Sequence, residues 1–274
     1  MKHLVLIIAI LFSFVSTAFS GAMRTVVVFA GSASQPALED AAKDFEKKFG
    51  IQVVLHLGGS GAMLSQIRLT GLGDLYIPGS PDYMVKAREL ELIDGEETKL
   101  AYLVPAILVP KGNPRQIRTL NDLARPGVRV GIADPESVCV GLYAVEIMES
   151  NKIAEGIRPN LHGQVESCAK TAAMLALGTV DAVLGWREFA TWNPQTMEAV
   201  LLNPREIPRL AYIPAALLSH ATNPENARNF VAYLKSADGQ AIFRKWGYFT
   251  KEENASKLAP AAQIGGTYEL PEGW

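Results

Sequence analysis

One local pattern, present twice near the N-terminus, restricts this chain most. Val26-Val27-Val28-Phe29-Ala30 is a β-prone apolar run that passes directly into Gly31-Ser32-Ala33-Ser34, and Pro36 then opens a helical pattern over Ala37 to Phe49. The second copy follows at once: Gln52 to Leu57 is strand-like, Gly58-Gly59-Ser60-Gly61 is the turn, and Ala62 to Leu69 is helical. Each reads as a buried strand, a small-residue turn and a helix N-terminus. A helix N-terminus carries spare backbone N–H groups and the positive end of the macrodipole, so it suits an anion. Serine adds a neutral hydroxyl donor. Two such turns after the first two strands of an α/β chain lie side by side at one sheet edge.

Strands and helices alternate through the rest of the 274 residues, which gives an α/β class with largely parallel sheets. Expected strands are Asp74 to Ile77, Val128 to Ala133, Asp181 to Trp186 and Ala199 to Leu202; expected helices are Asp82 to Leu90, Val140 to Ser150, Glu166 to Leu177, Pro224 to Lys235 and Asp238 to Trp246. Residues 151–163 and the tail from Thr250 read as loop. Two long extended segments, Lys99 to Pro110 and Arg209 to Leu218, are each bent by a proline and bracket a middle block. They predict a chain that leaves one lobe, builds another and returns through a two-stranded hinge. The expected division is residues 24–104 and 214–274 in the first lobe and 105–213 in the second.

The formal charge of −2 excludes the basic face that a nucleic-acid binder needs. Lys2 followed by the apolar run Leu4 to Phe19 and small residues through Ala22 predicts a secretory signal over residues 1–20, cleaved after Ser20 or Ala22. The alternative is a permanent anchor, for which the run falls short of the roughly 20 residues that span a bilayer comfortably. The mature chain is expected to be exported, soluble and monomeric. Export places Cys139 and Cys168 in an oxidising compartment, where a pair ordinarily bonds, so a disulfide is expected; the alternative is two buried thiols.

No catalytic set emerges. His56, His162 and His220 are scattered without metal-ligand spacing, and His56 reads as a structural strand residue. Gly59-Ser60-Gly61 lacks the spacing of a nucleophile elbow, and no phosphate-binding or dinucleotide-binding glycine motif is present. What remains is anion binding by neutral donors, with plain helix capping as the bland reading of Ser32 and Ser60. Further helix N-termini at Cys139-Val140-Gly141 and Ser167-Cys168, and the donor-only indole of Trp186, enlarge the donor set.

At this point a family resemblance enters. Ala30-Gly31-Ser32-Ala33-Ser34-Gln35-Pro36 resembles the first ligand loop of periplasmic molybdate/tungstate-binding proteins, and Gly58-Gly59-Ser60-Gly61 resembles their second. Ala133-Asp134-Pro135-Glu136 with Val140-Gly141-Leu142-Tyr143-Ala144, and Phe230 to Lys235 with Ile242 to Tyr248, are similar to two later family motifs in order and spacing. The resemblance implies a two-lobed type II periplasmic binding protein that feeds an ABC permease and its ATPase. It implies no enzyme activity and no cofactor, with molybdate or tungstate as the ligand, so that a metal meets Ser32 and Ser60 only inside an oxyanion. Carried over, Ser32 and Ser60 donate hydroxyls, and backbone N–H groups near Val140 and Cys168 donate from the second lobe. Trp186 falls where the bacterial branch has a ligand tyrosine, and Gly185 near the archaeal branch's metal-coordinating carboxylate. The first departure leaves ligand size and identity open; the second favours a four-coordinate oxyanion. A bonded cysteine pair would tie the two second-lobe ligand loops together. Rival readings are the same fold for sulfate, thiosulfate, a small carboxylate or a phosphate ester, a secreted serine hydrolase, and an adhesin-like envelope protein.

Overall fold

The computed structural model describes residues 25–274. The expected signal segment, residues 1–20 with its cleavage point, lies outside the described residues. Among the described residues no helix is long and apolar enough to cross a membrane.

The chain opens with β1 (Thr25–Gly31), α1 (Gln35–Phe49), β2 (Gln52–Gly58), α2 (Ser60–Thr70), β3 (Leu75–Ile77) and α3 (Pro81–Glu89). β1 is flanked in parallel by β2 and β3, a central strand with both edges paired; the helices of parallel crossovers cover the sheet faces, which suits an apolar run without alternation. α1 begins with a proline in its first turn and ends at Gly50, whose φ of 63° is the left-handed cap that glycine adopts without strain. Its buried face is Ala37, Leu38, Ala41, Ala42 and Phe45, a helical stripe laid on the sheet.

β4 (Ile93–Leu103) leads through Val104 into β5 (Pro105–Pro110), and here the chain changes sheets. The second lobe holds β6 (Val130–Ala133), α4 (Cys139–Ser150), α5 (Ala154–Ile157), β7 (Leu161–Val165), α6 (Cys168–Ala176), β8 (Ala182–Trp186), α7 (Phe189–Trp192) and β9 (Met197–Leu201). β10 (Arg209–Leu218) returns the chain, followed by α8 (Pro224–Lys235), α9 (Ala237–Lys245), α10 (Glu252–Ser256) and β11 (Gln263–Ile264).

The first sheet runs β11-β10-β3-β1-β2 with β4 paired to β10, and the second runs β7-β6-β8-β5-β9. Both are mixed rather than largely parallel, because the return strand β10 is antiparallel to β3 and β5 is antiparallel to β8 and β9. The two proline-bent segments pair with each other, Leu103 opposite Ala211 and Ala101 opposite Ile213, with an irregularity at Pro214. The whole of β10 pairs within the first sheet, including residues 209–213 that the sequence assigns to the second lobe.

Two further differences are physical. β7 sits at the sheet's edge with alternating half-exposure and carries His162 and Gln164, so a polar edge strand reads as loop. The tail gains α10 and β11 by docking, with Ala255 and Ala259 buried in the second lobe's apolar cluster.

A candidate oxyanion site between the lobes

In the first lobe three strand-to-helix turns follow the adjacent parallel strands β2, β1 and β3, as the doubly wound order requires. Ser32 and Ser60 are buried at 2% and 1% exposure, which is unusual for hydroxyl residues without a purpose. Ser60 opens α2, whose preceding residue Gly59 provides no side-chain cap. A Cβ built on Gly31 would stand 2.6 Å from Ser60 Oγ, so the two serine loops touch. The third turn, Pro78-Gly79-Ser80, joins β3 to α3. Here Gly79 N–H donates to Ser60 Oγ at 3.0 Å and shares the floor of the site. Buried tyrosines hold the serine loops from behind: Tyr76 Oη donates to Ser60 O at 2.8 Å and Tyr248 Oη to Ala33 O at 2.6 Å.

In the second lobe, α4 and α6 point their N-termini at this floor. Asp134 shapes the approach to α4, its carboxylate accepting from Glu136 N–H at 3.0 Å and Ser137 Oγ at 2.6 Å. α4 itself has no side-chain cap, whereas Ser167 Oγ caps α6 by accepting from Lys170 N–H. Trp186 ends β8, wholly buried, its ring 5.0 Å from that of Tyr143 in an edge contact. Among the described residues its Nε1–H makes no well-formed hydrogen bond, and the Cys168 sulfur lies beside it.

The lobes are in contact across this site. Ala169 N–H, in the first turn of α6, donates to Ser32 Oγ at 3.3 Å; Gly61 N–H donates to Ser137 O at 2.8 Å; Tyr83 Oη donates to Glu136 O at 3.0 Å. A groove of ≈ 390 Å³ between α1 and α6 is walled by Gln35, Ala169, Ala172, Trp192 and Trp246. Of the residues named from sequence, Ser32 and the Ser60 turn meet the second lobe through Ala169 and Ser137, while Val140 and Trp186 gather around the Cys168 sulfur within that lobe. His56 does not; its ring stacks on Phe29 at 4.6 Å.

The disulfide expected between Cys139 and Cys168 is absent: their sulfurs are 3.9 Å apart, both thiols are free, and a bond needs about 2.05 Å. Each thiol turns to different neighbours. Cys139 Sγ reaches into the first lobe against Gly79. Cys168 Sγ lies by Val140 N–H and the Trp186 indole, which favour its thiolate, but burial and the neighbouring Cys139 dominate and push the thiol well above its usual range. Cys168 is therefore a neutral thiol.

Beside the site, Glu188 is wholly buried, and burial pushes its carboxyl up to about 7 against the opposing charge of Arg187. Arg187 in turn holds Glu188 at 2.9 Å and the Gly247 carbonyl of the first lobe. The folded chain therefore binds more protons at Glu188 than the unfolded chain does between the ordinary value of 4.5 and about 7. Stability should fall as pH rises through that window. Glu188→Gln is expected to flatten the profile and to stabilise the protein above pH 7 by up to about 3 kcal/mol. Urea midpoints measured between pH 5 and 8 check this, and an unchanged slope would discount the buried carboxyl.

The profile described as bacterial extracellular solute-binding protein matches residues 26–249. The molybdate-binding protein ModA of Mycobacterium tuberculosis is 26% identical over 226 residues, covering 82% of this chain and 84% of that protein. The periplasmic molybdate-binding protein of Azotobacter vinelandii superposes with a TM-score of 0.72 at 16% identity, covering 83% of this chain and all of the other. The sulfate-binding protein SubI of M. tuberculosis superposes at 0.74 with 15% identity, covering 88% and 93%. At such identities the structures establish the shared periplasmic binding protein fold, and the profile spans most of the chain. The chain, with its two mixed sheets and double-stranded crossover, therefore belongs to the bacterial extracellular solute-binding protein family, whose chains are non-enzymatic components of transport.

Proposed function

We propose that this protein captures a tetrahedral oxyanion, molybdate or tungstate, between its lobes in the periplasm and delivers it as a monomer to an ABC permease. The observation that supports this most is the convergence of neutral donors from both lobes. Ser32 and Ser60 meet the first turns of α4 and α6, whose backbone N–H groups near Val140 and Cys168 complete the set with Trp186 Nε1–H. Burying a dianion is costly unless it is fully paired. Charge-assisted hydrogen bonds from both lobes offset that cost and favour the closed arrangement. A donor-only set also disfavours hydrogen phosphate, whose P–OH would find no acceptor. The molybdate-binding relatives support the same ligand class.

Trp186, bulkier than the tyrosine of the resembled family and wholly buried, favours one second reading: the same site for a different anion, such as sulfate or thiosulfate. Calorimetry on the mature protein with molybdate, tungstate, sulfate and phosphate separates the two. Molybdate or tungstate should bind more tightly than about 10 µM; weaker binding of both would remove the metal oxyanion as ligand. Ser60→Ala should weaken that binding about 10- to 100-fold, the scale of one hydrogen bond to a charged group. An unchanged affinity would take Ser60 out of the site.

A further inference from the structure

Two thiols occupy the point on which the donors converge. Cys139 opens α4 and Cys168 opens α6, each is 1% exposed, and their sulfurs are 3.9 Å apart. Cys139 Sγ crosses to the first lobe: a Cβ on Gly79 would lie 2.5 Å from it and 3.7 Å from Ser60 Oγ. The Cys168 sulfur is approached by Val140 N–H and by the indole N–H of Trp186. Thiols are weak hydrogen-bond donors, so a site selected only to hold an oxyanion gains little from them. They are strong ligands for soft, thiophilic centres. Two sulfurs 3.9 Å apart, on the first turns of two helices that face the other lobe, fit a ligand that bonds to both of them.

We propose that the Cys139–Cys168 pair makes this cleft a capture site for a trivalent thiophilic oxyacid, of which arsenous acid is the simplest. Two arsenic–sulfur bonds form and two arsenic–hydroxyl bonds break. The two thiol protons leave with the displaced hydroxyls as two waters. Arsenic stays trivalent and no electrons are exchanged. The remaining hydroxyl stays on arsenic, and Ser60 Oγ lies near Cys139 Sγ across the Gly79 turn. The ligand enters uncharged, so the cost of burying a dianion does not arise. This inference rests on the reading of the cleft as the ligand site, but not on molybdate or tungstate as the ligand.

The test uses the mature protein with its thiols kept reduced by a phosphine, titrated with sodium arsenite and, in parallel, with molybdate. Native mass spectrometry should show one arsenic retaining one hydroxyl, and X-ray absorption should show two sulfur neighbours. Cys139→Ser and Cys168→Ser should each weaken arsenite binding at least about 100-fold, as when one arm of a two-point attachment is lost. Thermal melts of both variants verify that they remain folded. Arsenite capture without molybdate binding supports the thiol site and removes the metal oxyanion. Molybdate binding without arsenite capture overturns the thiol site and leaves the oxyanion reading standing. An adduct that survives in both serine variants also overturns it.

Discussion

Gly79→Ala is expected to weaken ligand binding by at least about 100-fold, because the apparent affinity falls with the fraction of molecules able to close. The new methyl would stand 2.5 Å from Cys139 Sγ in the second lobe and 2.7 Å from Ala33 Cβ in the first. The thiol can rotate away, but the Ala33 methyl is fixed to the backbone of the Ser32 loop. Relief must therefore come from moving the Gly79 turn, whose N–H donates to Ser60 Oγ at 3.0 Å. The substitution displaces one serine, crowds the other and holds the lobes apart. Overpacking of this kind costs about 1–3 kcal/mol, which leaves the chain folded. Calorimetry of binding beside urea denaturation separates the two effects. Wild-type affinity in a folded Gly79→Ala protein would show that ligand does not reach this floor.

The largest stability effect is expected at Arg209, where β10 begins. Its guanidinium is 3% exposed and joins both lobes: Nε lies 2.9 and 2.8 Å from the two Glu146 oxygens of α4, and Nη1 lies 3.1 Å from Asp82 Oδ1 of α3. Nη1 also donates to Gly266 O at 2.9 Å, which pins the tail, and the group stacks 4.4 Å from the Tyr143 ring centroid. Arg209→Met keeps the length of the side chain and leaves two buried carboxylates without their cation. That loss should cost about 3–5 kcal/mol. Burial already pushes the Glu146 carboxyl up and Arg209 opposes it. Without the arginine Glu146 rises further, so the destabilisation should be larger at pH 8 than at pH 5. Adding Glu146→Gln should recover part of it, since the two sites are directly coupled. A loss below about 1 kcal/mol, flat with pH, would reduce this network to a solvated pair.

Most of what the sequence makes legible here is local. The β1 and β2 turns, the proline that opens α1, the Ser167 cap and the proline-led start of α8 depend on neighbours within a few residues. They appear in the structure close to where the pattern places them. The two-lobed plan was legible for a related reason. Prolines at 105 and 214 mark bends in extended chain, and the segments around them do pair. Edge strand β7, the docked tail and the antiparallel return of β10 were not legible, because their stability comes from partners far along the chain rather than from their own residues.

The same division runs through the site. Composition, turn chemistry and strand–helix order determined that this chain builds helix N-termini with serines and places them along sheet edges, since those preferences are set by backbone geometry within single turns. Only the tertiary structure decided that Gly79 joins the floor, that Arg209 bridges Asp82 and Glu146, and that Cys139 and Cys168 meet as free thiols rather than as a bond. A compartment makes a disulfide available, but the packing of α4 and α6 against the first lobe fixes where each sulfur points, and that packing is a property of distant residues brought together.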